Sequence, residues 1–558
     1  MTLPLVLQAT HAWFRKNEPK NLLLPFFSLL TIPGPVAYFA YSISSEWTVA
    51  ASVYPLFVAT LLASIAIYRL SPIHPLAGYP GPVMCKISKM WPAYVAYHGK
   101  LHHYYRALHN IYGPIVRVGP NELSIIDKDA IPFILGAHGM PKGPLWEGRQ
   151  LTPPRVRPPT PNGLINVRDF RRHAQLRKPW NKAFGSVPMK DYEDIMIQRA
   201  AQLIEHLHRI VQKSPSRQGH IDLAKWISFF SFDFMGDMAF GGGFELMRDG
   251  DKDGVWAAME QALFIPSVIQ HIPWMADIFG AMPLVGANLR KFGAFAVTQA
   301  TLRSKANVQK RDLFYYLLDA TDPDSTTDPF RLIVSNAVLA IVAGSDTTSS
   351  VLSNIAYYLL RHPQYLNQLT SEVDGCFPAD EDTAIDTSKL SSMKILNAII
   401  NETLRLQPAV LTSLQRAPAK DSGGKLIGDK FIPEGTAVIV PPYVLHRHPQ
   451  YFSPRPDDFW PERWILAENE NEKTKHNIVL DHTAFVPFST GPANCAGKAL
   501  ALLELRYLTV MLVREFDMTF EGGYSADTWE RGLEDRFVVK KGVLPVVLRL
   551  RKAAQAQG

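Results

Sequence analysis

The chain has 558 residues, of which 47% are hydrophobic and 20% charged, as is ordinary for a globular protein with a sizeable core. Its formal net charge is +7, but the 58 lysines and arginines form no dense run, so nucleic acid is not an expected partner. With only three cysteines and no CxxC pair, neither a zinc cluster nor a disulfide framework is expected.

The N-terminal region contains two long uncharged stretches. Residues 47–68 are uncharged and largely apolar, and about 20 apolar residues are enough to cross a bilayer core. Residues 21–45 form the other stretch, which Pro25 and Pro33 weaken as a helix. We therefore expect residues 1–70 to be a membrane anchor with one or two transmembrane segments; a buried core helix is the alternative. Cations flank both stretches, which places both ends of a hairpin in the cytosol.

A proline-rich segment follows the anchor. Residues 71–82 contain four prolines, which exclude helix and predict a stiff connector that holds the following body at a set angle to the membrane. Residues 83–558 are expected to form one catalytic domain. Helical patterns dominate there and short β-branched runs are few, which predicts a mainly α fold with a small β portion.

The patterns of this domain place its elements as follows. Helical patterns lie near residues 100–112, 170–184, 190–212, 222–240, 285–320, 330–361, 391–406 and 496–514. Strand patterns lie at residues 115–118 and 437–440. A stretch rich in proline and arginine, residues 141–161, is expected to be a loop.

Cys495 stands just before the last long helical pattern, in a loop that contains glycine and proline. Backbone N–H groups and the positive end of a helix lower the pKa of a thiol and stabilise a thiolate. Gly491 and Gly497 would let the loop approach a flat ligand closely. Taken alone, the loop predicts an activated cysteine that is either a nucleophile or a metal ligand.

Two further groups of residues lie inside helical patterns. Glu402 and Arg405 are three residues apart and can pair on one helix face. Asp346 and Thr347 lie in the middle of a long pattern, in the segment Ala-Gly-Ser-Asp-Thr-Thr, so they are not expected to be a helix cap. Small residues on the same stripe, among them Ala343, would leave room for a large flat group.

The cysteine loop resembles the haem-binding signature of the cytochrome P-450 superfamily, F-x-x-G-x-R-x-C-x-G. Phe488, Gly491, Cys495 and Gly497 occupy the matching positions. One position departs from the signature, because Ala493 stands where the superfamily usually has an arginine that pairs with a haem propionate. Another cation must therefore serve that role.

The upstream motifs resemble the same superfamily in the same order. The segment around Asp346 and Thr347 is similar to its oxygen-activating motif, A-G-x-D/E-T-T/S. The resemblance implies that Thr347 stabilises bound dioxygen and that Asp346 relays protons. It also implies a structural Glu–Arg–Arg network, formed by Glu402, Arg405 and Arg463.

The resemblance further implies a cytochrome P-450 fold that holds haem b, with the thiolate of Cys495 on the iron. His173 and Arg177, four residues apart on a helical pattern, and Arg416 become the expected partners of the haem propionates. The residues expected to bind the cofactor are therefore His173, Arg177, Arg416, Phe488, Gly491, Cys495 and Gly497.

The sequence is similar to fungal microsomal members, especially those of basidiomycete type. This similarity implies a monooxygenase in the endoplasmic reticulum membrane, with its catalytic domain in the cytosol and electrons supplied from NADPH by a separate reductase. The expected substrate is a lipophilic small molecule of secondary metabolism, with a terpenoid favoured. Apolar residues predict its pocket, namely Phe264, Trp274, Phe292, Ala409, Val410 and Leu411.

Several alternatives remain open from the sequence. A haem-thiolate isomerase or dehydratase would share the cysteine loop but would not need the Asp346–Thr347 pair. A xenobiotic oxidase would share the whole mechanism and differ in substrate. A non-catalytic haem protein would leave that pair idle, and a cysteine hydrolase would need a partnered base and no haem.

Overall fold

A computed structural model describes residues 2–16, 23–149, 163–282, 285–305, 311–318, 329–378 and 385–551. The fold is 61% helix and 10% strand, which confirms the prediction of a mainly α protein with a small β portion.

The helices of the N-terminal half are α1 (Thr2–Lys16), α2 (Leu23–Thr31), α3 (Gly34–Ser44), α4 (Trp47–Leu70), α5 (Val83–Ile87), α6 (Met90–Tyr97), α7 (Leu101–Tyr112), α8 (Ile131–Ile134), α9 (Leu145–Gly148), α10 (Phe170–Ala183), α11 (Ser186–Lys213), α12 (Leu223–Phe240) and α13 (Leu246–Asp249). Those of the C-terminal half are α14 (Val255–Ala262), α15 (Phe264–Ile269), α16 (Ala276–Ala281), α17 (Ala287–Lys305), α18 (Leu313–Leu318), α19 (Pro329–Arg361), α20 (Pro363–Cys376), α21 (Thr387–Leu390), α22 (Lys394–Leu406), α23 (Pro442–Leu445), α24 (Glu462–Leu466), α25 (Glu470–Lys475), α26 (Lys498–Glu515) and α27 (Asp527–Gly532).

The strands are β1 (Ile115–Gly119), β2 (Glu122–Ile125), β3 (Gly219–Asp222), β4 (Leu414–Arg416), β5 (Gly424–Ile427), β6 (Lys430–Pro433), β7 (Ala437–Val440), β8 (Phe452–Ser453), β9 (Val479–Leu480), β10 (Phe516–Phe520), β11 (Glu534–Arg536), β12 (Val538–Lys540) and β13 (Pro545–Leu550). Four of them form a mixed sheet in the order β1-β2-β7-β4, in which only β2 and β7 run parallel.

The helical patterns lie close to the helices of the structure, with one exception. The helical pattern over residues 285–320 contains two helices, α17 and α18, rather than a single one. Asp312 explains the start of the second, since its carboxylate accepts a hydrogen bond from the Tyr315 N–H at 2.9 Å, as a capping residue does. Of the predicted loop 141–161, α9 occupies a part and residues 150–161 lie outside the described residues.

The core is built around α12 and α19, which pack against each other. Almost every side chain of α12 is buried, because the helix is apolar around its whole circumference. Gly344 lies where α19 meets α12, and any Cβ at this position would clash with the side chain of Met235. Close packing at this crossing therefore explains Gly344.

Two N-terminal helical segments are long and apolar enough to cross a membrane, namely Leu24–Ser44 and Trp47–Leu70, with mean hydropathies of 1.4 and 2.0. The first is interrupted by a turn at Ile32 and Pro33, where the sequence is poor for helix. The rings of Tyr41 and Trp47 meet at 4.4 Å across the short link, so α3 and α4 form a hairpin.

The proline-rich connector is held against the mixed sheet. The main-chain N–H of Arg117, on β1, donates to the carbonyl of Pro80 at 2.7 Å. The guanidinium of Arg117 lies 3.3 Å from Nε2 of the buried His74, and any Cβ at Gly81 would clash with the Arg117 carbonyl. These contacts attach the connector directly to a strand of the body.

Candidate functional site

The cysteine loop lies between a short 3-10 turn, Gly491–Ala493, and the start of α26. The Cys495 N–H donates to the Phe488 carbonyl at 2.9 Å, which closes the loop. Gly491 has a φ of 72°, and a Cβ there would clash with the carbonyl of Leu135. Gly491 is therefore needed for close approach to the backbone after α8, and its expected approach to a flat ligand stays a prediction.

The thiol of Cys495 has opposing neighbours. Its side chain is exposed, yet the protein atoms crowded around the sulfur desolvate it and raise the pKa of the thiol. The Gly497 N–H and the charges of Arg177 and Lys498 act in the opposite direction. The predicted electrostatic help for a thiolate is thus present, but burial outweighs it in the protein alone.

The side chains on α10 reach the cysteine loop. Arg177 donates to the Asn494 carbonyl at 2.6 Å and to the Asn494 side-chain oxygen at 2.9 Å. His173, one turn earlier on the same helix, is buried. The structure therefore brings Arg177 and Cys495 to the same place, although they are far apart in sequence.

Two further cations stand beside this pair. Lys142 and Arg416 face each other in an antiparallel bridge, and both are buried. Burial and the charges of Arg416 and Arg177 lower the pKa of Lys142 to about 7, and burial lowers that of Arg416 to about 10. In the part of the chain that the structure describes, Lys142 donates to carbonyl groups alone, those of Leu164 and Ile165.

The four residues Lys142, His173, Arg177 and Arg416 form a cation cluster. Burial and the charges of the other three lower the pKa of His173 to about 4. Within the described residues, none of the four has a carboxylate partner. Buried positive charge without a partner is costly, so this cluster is suited to bind an anion.

The expected cofactor fits this cluster, because haem carries two propionate carboxylates. The cations lie beside the cysteine loop, and they can supply the charge that Ala493 does not. Of these four residues, His173, Arg177 and Arg416 were predicted from the sequence, whereas Lys142 was not. An isolated lysine between proline and glycine carries no pattern that would have identified it.

Glu402, Arg405 and Arg463 form a completely buried network. Arg405 donates to both carboxylate oxygens of Glu402, at 2.8 and 2.9 Å, and Arg463 donates to one at 3.0 Å. The indole N–H of Trp464 and the main-chain N–H of Trp460 complete the shell around the carboxylate. Burial alone would raise the pKa of Glu402, but the two arginines lower it below its ordinary value.

This network connects to the cysteine loop through His446. Arg405 donates to the main-chain carbonyl of His446 at 2.9 Å, and the His446 Nε2 accepts from the Val486 N–H at 3.0 Å. Burial and the charge of Arg405 lower the pKa of His446 to about 3, so the ring is neutral and can accept this bond. Val486 lies two residues before Phe488, so the network supports the loop from behind.

The middle of α19 is open on one side. Ala343 is exposed although it lies inside the longest helix, whereas Ala340 and Val351, which the sequence placed on the same stripe, are buried in the core. The Thr347 hydroxyl donates to the Ala343 carbonyl at 2.6 Å. A helix with a small exposed side chain and a hydroxyl at its centre leaves room for a flat group over that face.

Asp346 lies on the wall of a cavity of about 530 Å³. Its carboxylate is buried, which raises its pKa, and the charge of Lys541 acts against this rise. Phe264 and Val538 supply part of the apolar lining.

Of the other aromatic residues predicted for a substrate pocket, Trp274 is 56% exposed at the surface and Phe292 is buried in the core. Neither contributes to this cavity. Leu411 is also buried in the core, while the Ala409 carbonyl accepts a bond from the Val539 N–H.

Comparison with known proteins agrees with this geometry. The family model described as Cytochrome P450 matches residues 79–540. Cytochrome P450 monooxygenase FCK2 of Fusarium pseudograminearum is 32% identical over 88% of this chain and 85% of its own. Tryprostatin B 6-hydroxylase of Aspergillus fumigatus is 32% identical, over 89% and 84%. Cytochrome P450 67 of Uromyces fabae is 30% identical, over 85% and 86%.

The family match covers the cysteine loop, the Glu402 network and the centre of α19 together. Members of this family bind haem through a cysteine thiolate and act on small molecules with a redox partner. The chain belongs to the cytochrome P450 family.

Proposed function

We propose that the protein is a membrane-bound monooxygenase that inserts one oxygen atom of O₂ into a lipophilic small molecule. The observation that carries this proposal is Cys495 in a loop flanked by a cation cluster on one side and the buried Glu402 network on the other. In this reaction O₂ also takes up two electrons and two protons, and its second oxygen atom leaves as water.

The bound haem supplies the oxygen chemistry, and the protein supplies its attachment and the protons. Cys495 would hold the haem iron through its thiolate, whose electron density would favour O–O cleavage. Phe488, Gly491 and Gly497 shape the loop that carries it. The hydroxyl of Thr347 would hold a proton near the open face of α19, and Asp346 would pass protons to it from the cavity. An isomerase or dehydratase would not need this pair, which favours monooxygenation.

The cation cluster yields a test of haem attachment. Replacing Arg416 or Arg177 with alanine, or Lys142 with methionine, removes a charged hydrogen-bond donor to a propionate. We expect each change to weaken haem binding by about 2 kcal/mol, roughly 30-fold in affinity. The measurement is transfer of haem from each variant to an excess of a haem-scavenging protein.

Arg171→Ala is the matched control, because this exposed arginine lies on α10 beside the cluster. It is expected to release haem at the rate of the unaltered protein. Full haem retention in the Arg416, Arg177 and Lys142 variants would refute the assignment of the cluster to the propionates and leave the Cys495 assignment untouched.

The proposed location of the protein rests on its N-terminal region. We infer that residues 1–70 anchor it in the endoplasmic reticulum membrane, that residues 71–82 connect the anchor, and that residues 83–558 form a cytosolic catalytic domain. Further exposed apolar side chains lie on α5 and α6, directly after the connector, and at Trp274, which supports contact with lipid; they are Val83, Met84, Met90, Tyr94, Tyr97 and Trp274. Electrons would come from NADPH through a separate reductase on the same membrane.

The substrate class can be tested spectroscopically. A substrate that displaces water from the haem iron changes its absorption spectrum. We expect such a shift with members of a panel of terpenoids, the class that the resemblance favours. Tryprostatin B belongs in the panel because a relative hydroxylates it. A simple aromatic acid and a typical xenobiotic serve as comparisons, and a shift confined to the xenobiotic would favour a detoxifying oxidase. Oxygenated product, formed only with NADPH, reductase and O₂, would establish the reaction.

A further inference from the structure

Lys541 follows the β11–β12 hairpin and reaches α19. Its Nζ lies 3.9 Å from the Asp346 Oδ1 and donates to the Ser349 hydroxyl at 3.0 Å. Ser349 in turn donates to the main-chain carbonyl of Asp346 at 3.2 Å. The side chains of Lys541 and Asp346 are only 6% and 11% exposed, so solvent screens their attraction little.

The ion pair is close enough for attraction but too long for a hydrogen bond. None of the described residues donates a hydrogen bond to the carboxylate of Asp346, and Asp346 lines the cavity. Lys541 therefore restrains Asp346 through the attraction of opposite charges and through the hydrogen bonds of Ser349. It donates no hydrogen bond to the carboxylate oxygens of Asp346. These oxygens can still exchange a proton with water in the cavity.

Other charged groups line or surround the cavity. Glu260, on α14, faces the same space, and Arg536 and Lys540 lie on the hairpin. Arg536 and Lys540 are both paired with Glu534, at 2.6 and 3.9 Å. Burial raises the pKa of Glu260, which Lys541 and Lys540 oppose and Asp346 reinforces. At Asp346 itself, the charge of Lys541 opposes the effect of burial and favours the ionised carboxyl.

We propose that Lys541 is a positioning residue that holds Asp346 at the cavity wall and sets how readily its carboxyl exchanges a proton. This inference rests on the proposed role of Asp346 as the proton relay. In each cycle the carboxyl releases its proton toward Thr347 and recovers one from cavity water, while Lys541 keeps its own proton. A residue that directly follows the β11–β12 hairpin thereby controls the proton supply.

The test follows the carboxyl band of Asp346 in the infrared spectrum of the ferric holoenzyme as a function of pH. The band is identified by its absence from Asp346→Asn. Removing the cation in Lys541→Met leaves burial unopposed, so the pH midpoint of the band should rise by about one to three units. Lys541→Arg should keep the midpoint close to that of the unaltered protein. Lys540→Met should leave it unchanged.

A second measurement reads the proton supply itself. With a cytochrome P450 reductase, Lys541→Met should consume NADPH roughly tenfold more slowly, with a larger solvent isotope effect in D₂O, and Lys541→Arg should restore both values. An unchanged infrared midpoint in Lys541→Met, or an equal shift in Lys540→Met, would contradict the claim that the Lys541–Asp346 ion pair controls the protonation of Asp346. A shifted midpoint with unaltered NADPH consumption would overturn the positioning role.

The proposed function fails in a different way. If the unaltered protein gave no thiolate-haem spectrum with carbon monoxide, the monooxygenase assignment would fall. The infrared titration would still report whether Lys541 acts on Asp346. The two failures are therefore distinguishable.

Discussion

Replacing Cys495 with serine is expected to abolish the carbon-monoxide absorption that is typical of a thiolate-ligated haem. Serine is close in size to cysteine, and the main-chain bond from residue 495 to the Phe488 carbonyl does not depend on the side chain. The loop should therefore keep its shape while the iron loses its sulfur ligand. The cation cluster would still attract the propionates, so we expect some haem to remain bound with an altered spectrum. The measurement is a reduced carbon-monoxide difference spectrum at equal protein concentration.

Cys376→Ser is the control for this experiment. Cys376 ends α20, is partly buried and lies more than a hundred residues before the cysteine loop in the sequence. Its replacement should leave the spectrum unchanged. A thiolate spectrum that survives in Cys495→Ser and disappears in Cys376→Ser would contradict the assignment of the ligand.

Replacing Glu402 with glutamine should be the most damaging substitution for stability. Glutamine has nearly the same shape, but it leaves Arg405 and Arg463 as buried charges without an anion. Breaking a buried ion pair in this way costs about 3–5 kcal/mol. Because the folded pKa of Glu402 lies below its ordinary value, the stabilisation is complete at neutral pH and is lost only as the pH falls through the folded pKa.

The change is measured as the shift in the temperature at which haem is released, at neutral pH. Glu468→Gln supplies the comparison, because Glu468 pairs with Lys394 at 3.7 Å and both side chains are about two-thirds exposed. An exposed pair contributes about 0–1 kcal/mol, so this variant should release haem near the temperature of the unaltered protein. Equal release temperatures for the Glu402 and Glu468 variants would show that the buried network does not stabilise the fold.

The helical skeleton could be predicted from the sequence because apolar periodicity is a local property. The pattern over 330–361 corresponds to α19, and that over 496–514 corresponds to α26. Where a polar residue interrupts a pattern, as Asp312 does between α17 and α18, periodicity alone does not reveal the break. Cys495 was identifiable because its loop is a recognisable run of consecutive residues, and so is each of the distant motifs.

The contacts that complete the site could not be predicted in this way. Arg177 and Asn494 are separated by 317 positions, and Lys541 and Ser349 by 192. Such pairs depend on the packing of whole elements, and no spacing in the chain encodes them. For the same reason, only Phe264 of the three aromatic residues predicted for the pocket lines the cavity. Composition alone does not show which aromatic ring lies against a cavity and which is buried in the core.

The attachment of the connector to β1 has a consequence for how a substrate arrives. Because Pro80 and His74 are bonded to Arg117, the body cannot rotate freely about the end of α4, the second helix of the proposed anchor. If these helices span a bilayer as proposed, the same side of the body would always face the lipid. A molecule dissolved in the membrane would then diffuse in two dimensions to a cavity entrance held at a fixed height above the bilayer. A molecule in the cytosol would instead reach the same entrance by diffusion in three dimensions, and the bilayer would block many directions of approach.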